Sequence, residues 1–118
     1  MDYKELDVWK ESKELVKLIY SLTNRLPSSE QFGLIPQIRR SAISVPSNIA
    51  EGVGRNHSKD TIQFLYIARG SLYELETQLV ISKELFSLEE NEFDVIWNKI
   101  QNCKMLINGF ISYYQKKQ

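Results

Sequence analysis

Four cationic side chains are the residues best suited to bind a ligand: Arg39, Arg40, Arg55 and Lys59. Guanidinium and ammonium groups donate hydrogen bonds to phosphate oxygens, and such contacts position a protein along a nucleic-acid backbone. The competing role is a set of salt bridges, either in solvent or between subunits. Glu51, for example, lies four residues before Arg55, a spacing at which opposite charges pair on a helix. We therefore predict that these four residues are candidate nucleic-acid contacts, with salt bridging as the alternative.

A second group of basic residues, a weaker candidate for the same role, lies towards the C-terminus: Lys99, Lys104, Lys116 and Lys117. Aromatic side chains stack on bases in proteins that bind single strands. Four tyrosines are candidates for such stacking: Tyr66, Tyr73, Tyr113 and Tyr114. Packing inside the protein or between subunits is their competing use.

The chain offers little for metal chemistry. A di-metal site in a helical bundle needs Glu-x-x-His pairs on facing helices, so that several carboxylates and imidazoles converge. The sequence has one histidine, His57, and the Glu-x-x-His pattern is absent. We predict that the protein holds no metal and no other cofactor.

Nucleophilic and acid–base catalysis are also poorly supported. Cys103 falls among apolar residues with helical spacing and has no histidine nearby in the sequence, which is typical of an inert buried thiol. The run Gly52-Val-Gly54 is too short for a phosphate-binding loop. Three glutamates have the right side chain for acid–base chemistry but no evident partner: Glu51, Glu74 and Glu76. We predict no catalytic residues and a protein that is not an enzyme.

Charge is balanced over the whole chain but not along it. The 118 residues carry 15 basic and 15 acidic side chains, so the chain is not a general binder of polyanions. Residues 33–59 carry four basic and one acidic side chain, whereas residues 60–98 carry two basic and eight acidic ones. Local basic surfaces therefore remain available as contacts.

Several features of the sequence bear on the compartment. The single cysteine excludes an internal disulfide and fits a reducing environment. No apolar run approaches the roughly 20 residues that span a bilayer, and the N-terminus lacks the layout of a signal peptide. We predict a cytoplasmic protein without a membrane partner.

Helical spacing of apolar residues runs through the whole chain and predicts the elements that must position these side chains. The predicted helices cover about 8–26, 30–54, 59–86 and 92–115. Four helices with short connections predict an all-α, antiparallel up-down-up-down four-helix bundle that forms one domain over residues 1–118. In the first helix, the main apolar side is predicted to contain Trp9, Val16, Ile19 and Leu26, with Leu15 and Leu22 beside them. Ser28 with Gln31 has the spacing of a capping box for the second helix.

The second predicted helix contains a proline well inside it. Pro46 removes one backbone donor, and its ring opposes the carbonyl of Ala42. Because the apolar spacing keeps its phase across Pro46, we predict a kink at this residue and not a loop. Gly52 and Gly54 are predicted to stop the helix, and Ser58 to be the N-cap of the next one. Three serine hydroxyls are predicted to bond the loosened carbonyls: Ser41, Ser44 and Ser47.

The third predicted helix is apolar around much of its circumference. Its main stripe has a steady spacing of three and four: Leu65, Ala68, Leu72, Leu75, Leu79, Ser82 and Phe86. Further apolar residues, such as Ile67, Tyr73 and Ile81, occupy other sides of the same helix. Because one intramolecular core cannot cover all of them, we predict a contact between subunits.

Three stretches of sequence carry a resemblance to a known family: Leu6-Asp-Val-Trp9 continuing to Ile19-Tyr20; Gly33-Leu34 continuing through Gln37-Ile-Arg-Arg40 to Ser44-Val-Pro-Ser-Asn-Ile-Ala-Glu-Gly52 and Gly54-Arg55; and Phe64-Leu-Tyr-Ile-Ala68 continuing through Gly70-Ser-Leu72 to Glu74-Leu-Glu-Thr-Gln-Leu79. Over residues 6–86 the chain resembles the small proteins encoded in intervening sequences of bacterial 23S ribosomal RNA genes. Ile35-Pro36 departs from the small polar residues usual in that family, which leaves the start of the second helix open.

This resemblance implies a four-helix bundle that forms ring-like homo-oligomers, most often pentamers. The family carries an older ribosomal-protein label. It is similar to the accessory variability determinant of diversity-generating retroelements, a basic pentameric bundle that binds nucleic acid and reverse transcriptase. By this likeness, Arg39, Arg40, Arg55 and Lys59 become candidate contacts to RNA or DNA.

Two functions therefore stand as predictions. The first is a non-enzymatic homo-oligomeric bundle, a pentamer, that binds RNA or DNA through clustered arginines and lysines. The alternative is an interaction scaffold that binds a protein partner and no nucleic acid. An enzyme ranks third, because it requires a deep pocket with converging polar groups.

Overall fold

Four α-helices make up most of the chain. The computed structural model describes residues 1–117. Its helices, numbered in chain order, are α1 (Asp7–Thr23), α2 (Leu34–Gly54), α3 (Ser58–Leu85) and α4 (Glu90–Lys117). Residues 1–117 contain no strand, so the predicted all-α class with four helices is confirmed. Within the same residues, no helix combines the length and the apolar character needed to cross a membrane.

The helices pack as a bundle around one apolar core. α1 contacts α2 and α4, and α3 contacts the same two helices. Removing apolar side chains from water stabilises such packing by about 25 cal/mol per Å² of buried surface. The largest fully buried side chains come from all four helices: Leu15, Ile19, Leu22, Ile38, Ile49, Leu65, Leu72, Leu75, Leu79, Ile96, Ile100 and Ile107.

The buried side of α1 is rotated relative to the prediction. Leu15 and Ile19 are fully buried, whereas Trp9 and Val16 are half-buried at the edge of the core. Ser12 is also fully buried, and its hydroxyl donates to the Trp9 carbonyl oxygen at 2.9 Å. A serine that bonds back to its own helix can occupy a core position, so apolar spacing alone misplaced the centre of this stripe.

α2 begins later than predicted. A short 3-10 helix, Ser28–Glu30, lies within the predicted start, and Gly33 leaves the helical backbone region before Leu34. Glu30 Oε1 accepts a hydrogen bond from the Leu34 backbone N–H at 3.1 Å. The predicted capping box of Ser28 and Gln31 is therefore wrong, because Glu30 satisfies a free N–H of the first turn.

α2 continues through Pro46 as an unbroken helix, and the kink stays a prediction. The serine hydroxyls do not take the predicted role: within residues 1–117, Ser44 Oγ lies 2.8 Å from Ser71 Oγ on α3. Asn48 Nδ2 donates to the Ser44 carbonyl oxygen at 2.8 Å. This bond goes to the carbonyl of Ser44 and not to that of Ala42, which is the carbonyl that Pro46 leaves without its usual donor.

α2 ends at Gly54, as predicted, but the turn between α2 and α3 differs in two details from the expectation. Asn56, and no glycine within residues 1–117, takes the left-handed backbone, with φ of 59°. Gly52 is buried where α2 approaches α3, and a Cβ there would lie 2.8 Å from Phe64 Cβ. His57 is the extended N-cap, and Ser58 is the first residue of α3. Gly52 therefore allows close packing, and the predicted N-cap Ser58 is wrong by one residue.

Candidate nucleic-acid interface

Arg39 is held against α1 by three contacts. Its Nε donates to Thr23 Oγ1 at 2.8 Å, and its Nη2 donates to Asn24 Oδ1 at 2.8 Å. Its guanidinium carbon lies 4.4 Å from the centre of the Tyr20 ring, which is a cation–π distance. Thr23 is itself buried and donates to the Ile19 carbonyl oxygen at 2.8 Å. The first predicted phosphate contact is therefore a fixed, half-buried guanidinium that joins α2 to α1.

Arg40 differs from its neighbour in both exposure and partners. Its side chain is exposed, and no hydrogen bond or ion pair with the rest of residues 1–117 engages it. It lies on the rim shared by two grooves, one on each side of α2. Its charge is therefore available to an anion in solution.

The first of these grooves lies between α1 and α2 and is called the Tyr20 groove below. Its volume is about 640 Å³. Aromatic, apolar, amide and cationic side chains line it: Tyr20, Gln31, Ile35, Pro36, Arg39, Arg40, Ile43, Ser44, Ser47 and Asn48. In the described part of the chain, no aspartate or glutamate lines this groove, so its charge is positive.

The second groove lies between α2 and α3, is polar, and has a volume of about 350 Å³. Its lining is Gln37, Arg40, Ser41, Ser44, Ser71, Glu74 and Gln78. Gln78 Oε1 is buried there and accepts no hydrogen bond from residues 1–117. A buried acceptor of this kind normally bonds to water or a ligand. Glu74 opposes the charge of Arg40, so this groove attracts anions less than the Tyr20 groove does.

Arg55 and Lys59 lie at the other end of α2. Roughly 24 Å of helix separates Arg39 from Arg55, so the four predicted cations form two separate pairs. Arg55 Nη2 lies 3.1 Å from Glu51 Oε1, the i, i+4 salt bridge predicted as the alternative role. Both of these side chains are about half exposed, and such surface pairs are weak. Arg55 also covers the Phe64 ring, and Lys59 is exposed in the first turn of α3.

Half of the predicted C-terminal basic patch is neutralised by ion pairs. Lys99 Nζ lies 2.9 Å from Glu11 Oε2, and Lys104 Nζ lies 2.8 Å from Glu76 Oε2. The hydrogen bond from Lys99 holds the pKa of Glu11 below its ordinary value. Two of the four lysines therefore brace α4 against α1 and α3.

The four tyrosines predicted to stack on bases do not lie beside Arg39. Tyr66 and Tyr73 lie on α3, each covered by a cation. Tyr113 is exposed near the end of α4, whereas Tyr114 is buried, and burial raises the pKa of its phenol. Tyr20, which the prediction did not include, lines the groove with Arg39 and Arg40.

The sequence gives almost no signal for the partners of Arg39. Tyr20, Thr23 and Asn24 share one face of α1, because they have i, i+3, i+4 spacing. Polar residues with that spacing usually form a solvated face. Their distance from Arg39 along the chain is 15 to 19 residues, so only the packing of α1 on α2 brings them together.

The described residues supply neither an activated nucleophile nor a metal site. Cys103 is fully buried, and desolvation raises the pKa of its thiol to about 12. The reactive thiolate is therefore scarce at neutral pH. Within residues 1–117, no three side chains of histidine, cysteine, aspartate or glutamate come together as metal ligands.

Exposed apolar side chains lie along one side of α3, interspersed with polar ones such as Glu74, Thr77 and Glu84, and this side is called the α3 outer face below. Five side chains define it, with 39% to 62% of each exposed: Ile67, Tyr73, Val80, Ile81 and Leu85. Gly70 lies within this face, and a Cβ there would meet no atom within 4 Å. The intramolecular core therefore leaves uncovered the apolar sides for which a subunit contact was predicted.

These features define a class of protein: a small bundle of four helices with arginine-lined grooves. The chain belongs to the family of 23S rRNA-intervening sequence proteins, whose family model matches residues 4–109. A similar solved structure is a protein with unknown function from the S23 ribosomal protein family of Bacteroides thetaiotaomicron. The two chains are 25% identical with a TM-score of 0.80, and the match covers 88% of this chain and 97% of the other. No curated protein matches the chain.

Proposed function

We propose that the protein is a non-enzymatic homo-oligomer, a pentamer of antiparallel four-helix bundles, that binds RNA or DNA in the cytoplasm. The contacts are Arg40, Arg55 and Lys59, with Arg39 lining the groove beside Arg40. The observation that carries the proposal is the Tyr20 groove, where two adjacent arginines and an aromatic ring meet without a carboxylate among the described lining residues. Phosphate and base are the chemical groups that such a lining suits.

Opposite chain directions in the bundle are supported by contacts between helix ends. Lys99 of α4 pairs with Glu11 near the start of α1, while Glu92 at the start of α4 pairs with Arg25 just after α1. These pairs run in opposite sequence order, as neighbours with opposite direction require. A bend at Pro46, caused by its missing backbone donor, belongs to the same proposal.

Self-association is supported by the α3 outer face. Five large apolar side chains on this side of the helix are partly exposed, and burying them against a copy of the chain removes them from water. Assembly also explains how a chain of zero net charge can attract a polyanion. Several copies of Arg40 around one axis create a local positive field that one copy does not.

Nucleic-acid binding is tested by fluorescence anisotropy with labelled RNA and DNA oligonucleotides over a range of salt. We expect affinity that falls steeply with salt, because phosphate contacts release counterions. Arg40→Gln should reduce the slope of log K against log salt by about 1 for each contact removed. Lys10→Gln, which removes an exposed charge near the start of α1, is the matched control. Absence of binding to any nucleic acid at low salt would refute this function.

Assembly is tested separately by light scattering. A pentamer has a mass of about 69 kDa, five times the 13.8 kDa of one chain. Ile67→Glu in the α3 outer face should dissociate it, while Val95→Glu on α4 should not, although both side chains are about half exposed. A monomer of the unaltered protein at micromolar concentration would refute the assembly and leave nucleic-acid binding to its own test.

A second function, a protein-interaction scaffold without nucleic-acid binding, is supported by a different groove. Met105, Leu106 and Phe110 of α4 line a mainly apolar groove of about 410 Å³ with residues of the N-terminus. Apolar grooves of this kind suit a partner side chain or helix. A partner protein that stays bound after nuclease treatment, together with no retention of nucleic acid, would favour the scaffold.

A further inference from the structure

We propose that the Tyr20 groove is a subsite for one nucleotide of a single strand, whose base stacks on a platform formed by Tyr20 and Arg39. This inference rests on the proposed function and specifies its substrate: unpaired nucleic acid and not duplex. Arg40 at the rim contacts the phosphate of the same strand.

The platform is rigid before any ligand arrives. Two hydrogen bonds of 2.8 Å, to Thr23 and Asn24, fix the plane of the Arg39 guanidinium, and the Tyr20 ring packs against it. A free arginine side chain loses much rotamer entropy when it is ordered. Arg39 has already lost that entropy on folding, so the stacking of a base does not have to order this side chain and costs less free energy. Planar guanidinium groups and aromatic rings both stack on unpaired bases.

The groove provides the remaining contacts that a nucleotide requires. Its volume of about 640 Å³ lies in the usual range for small-ligand sites. Ile35 and Ile43 give it apolar walls. Asn48 uses its Nδ2 on Ser44, and its Oδ1 makes no hydrogen bond within residues 1–117, so this oxygen can accept from an exocyclic amine. Gln31 is exposed in the lining, and both the oxygen and the nitrogen of its amide can hydrogen-bond to the edge of a base.

Duplex nucleic acid cannot use this platform, because its bases are paired and stacked within the helix. A duplex can still contact Arg40, Arg55 and Lys59 through its phosphates. The platform therefore predicts a preference for single strands, in addition to the charge-driven binding shared by both forms.

The experiment compares single-stranded RNA, single-stranded DNA and a duplex by anisotropy, with variants of the platform. Arg39→Lys keeps the charge but loses the planar group, and Tyr20→Leu removes the ring. Tyr66→Leu is the matched control, because Tyr66 has the same exposure of 37% and also lies under an arginine, Arg69, at 5.0 Å. Circular dichroism and light scattering confirm that each variant is folded and assembled.

We expect both platform variants to weaken single-strand binding by roughly 5- to 150-fold, the effect of losing one stacked base. Duplex binding and the salt slope should stay unchanged, and Tyr66→Leu should bind as the unaltered protein does. Quenching of an oligonucleotide with a fluorescent adenine analogue gives a second readout, which Arg39→Lys should abolish. A stronger effect on RNA than on DNA would assign a further contact to the 2′-hydroxyl and support the same subsite.

Two results would overturn the subsite and leave the proposed function intact. One is equal affinity of the unaltered protein for single strands and duplex. The other is an equal loss on both forms in Arg39→Lys. Absence of binding to either form would overturn the proposed function itself, and the subsite with it.

Discussion

Gly52 provides the sharpest test of how α2 and α3 are packed. A Cβ added at this position would lie 2.8 Å from Phe64 Cβ and 3.2 Å from the Thr61 carbonyl oxygen. Neither atom is the far end of a flexible side chain, so the two helix backbones must separate to accept it. The hydroxyl of Thr61, which donates to the Gly52 carbonyl oxygen at 2.6 Å, would lose its geometry as they move.

The size of the effect follows from two opposing terms. Forcing a methyl group into a well-packed core costs about 1–3 kcal/mol, while replacing a helical glycine by alanine gains about 1 kcal/mol. Because the clash involves atoms tied to the backbone, we expect the cost to lie in the upper part of its range, about 2–3 kcal/mol. After the gain of about 1 kcal/mol, Gly52→Ala should reduce the free energy of unfolding by about 1–2 kcal/mol. Gly109→Ala on α4 meets no atom within 4 Å and should increase it by up to about 1 kcal/mol.

Urea and thermal unfolding of both variants, followed by circular dichroism at one protomer concentration, measure this difference. A fixed concentration is needed because the melting temperature of an oligomer depends on it. For a domain of this size, the expected loss in Gly52→Ala lowers the melting temperature by roughly 4 to 8 °C. If Gly52→Ala is as stable as Gly109→Ala, the helices do not approach as closely as described, and Gly52 is only a helix terminator.

Three further residues give testable expectations. Cys103 should resist thiol reagents in the folded protein and react after unfolding, because burial raises its pKa to about 12; rapid labelling of the folded protein would contradict its burial. The pKa of Glu11 is lowered in the folded chain, so its pairing stabilises the fold above the unfolded pKa and is lost as the pH falls through the folded one. In urea titrations, the free energy of unfolding of Lys99→Met should therefore be lower than that of the unaltered protein at neutral pH, and the two values should converge in acid. A difference that does not change with pH would contradict the stabilising pair of Lys99 and Glu11. Asn56→Gly should leave stability unchanged or increased and Asn56→Ala should lower it by about 1 kcal/mol, because φ is 59° there; equal melting temperatures would argue against a left-handed Asn56.

Apolar spacing predicted most of the fold because it reports the period of a helix directly. The stripe from Leu65 through Leu72 to Leu79 is buried as predicted, since α3 has few polar residues on that side to confuse the pattern. The stripe of α1 was misplaced because Ser12 is a core residue that no hydrophobicity pattern selects. Helix starts were also missed, because neither Glu30 nor His57 is a residue type that usually caps helices. The Glu30 carboxylate accepts from the Leu34 N–H across Gly33, whereas His57 serves as N-cap through its extended backbone alone.

The candidate site was harder to predict because its residues come from two helices. Arg39 and Arg40 are adjacent in sequence and look equivalent there, yet one is fixed on α1 and the other is exposed. The two side chains differ because adjacent residues of a helix point about 100° apart around its axis, so Arg39 faces α1 and Arg40 faces solvent. Tyr20 gave no signal, because its partner lies 19 residues away and the distance between them is set by packing.

The geometry of α2 explains why so little of a distinctive sequence is free for function. One side of the helix is committed to α3 through Gly52 and the contact between Ser44 and Ser71, and another side is committed to α1 through Arg39. A helix packed on two sides keeps one exposed strip, spaced by three and four residues: Arg40, Ile43, Ser47 and Glu51. Glu51 pairs with Arg55, so Arg40 is the cation of that strip without an ion pair in the described residues. The small residues of α2 thus serve packing. A ligand that binds α2 must therefore contact Arg40 together with side chains of the neighbouring helix, such as Tyr20 of α1.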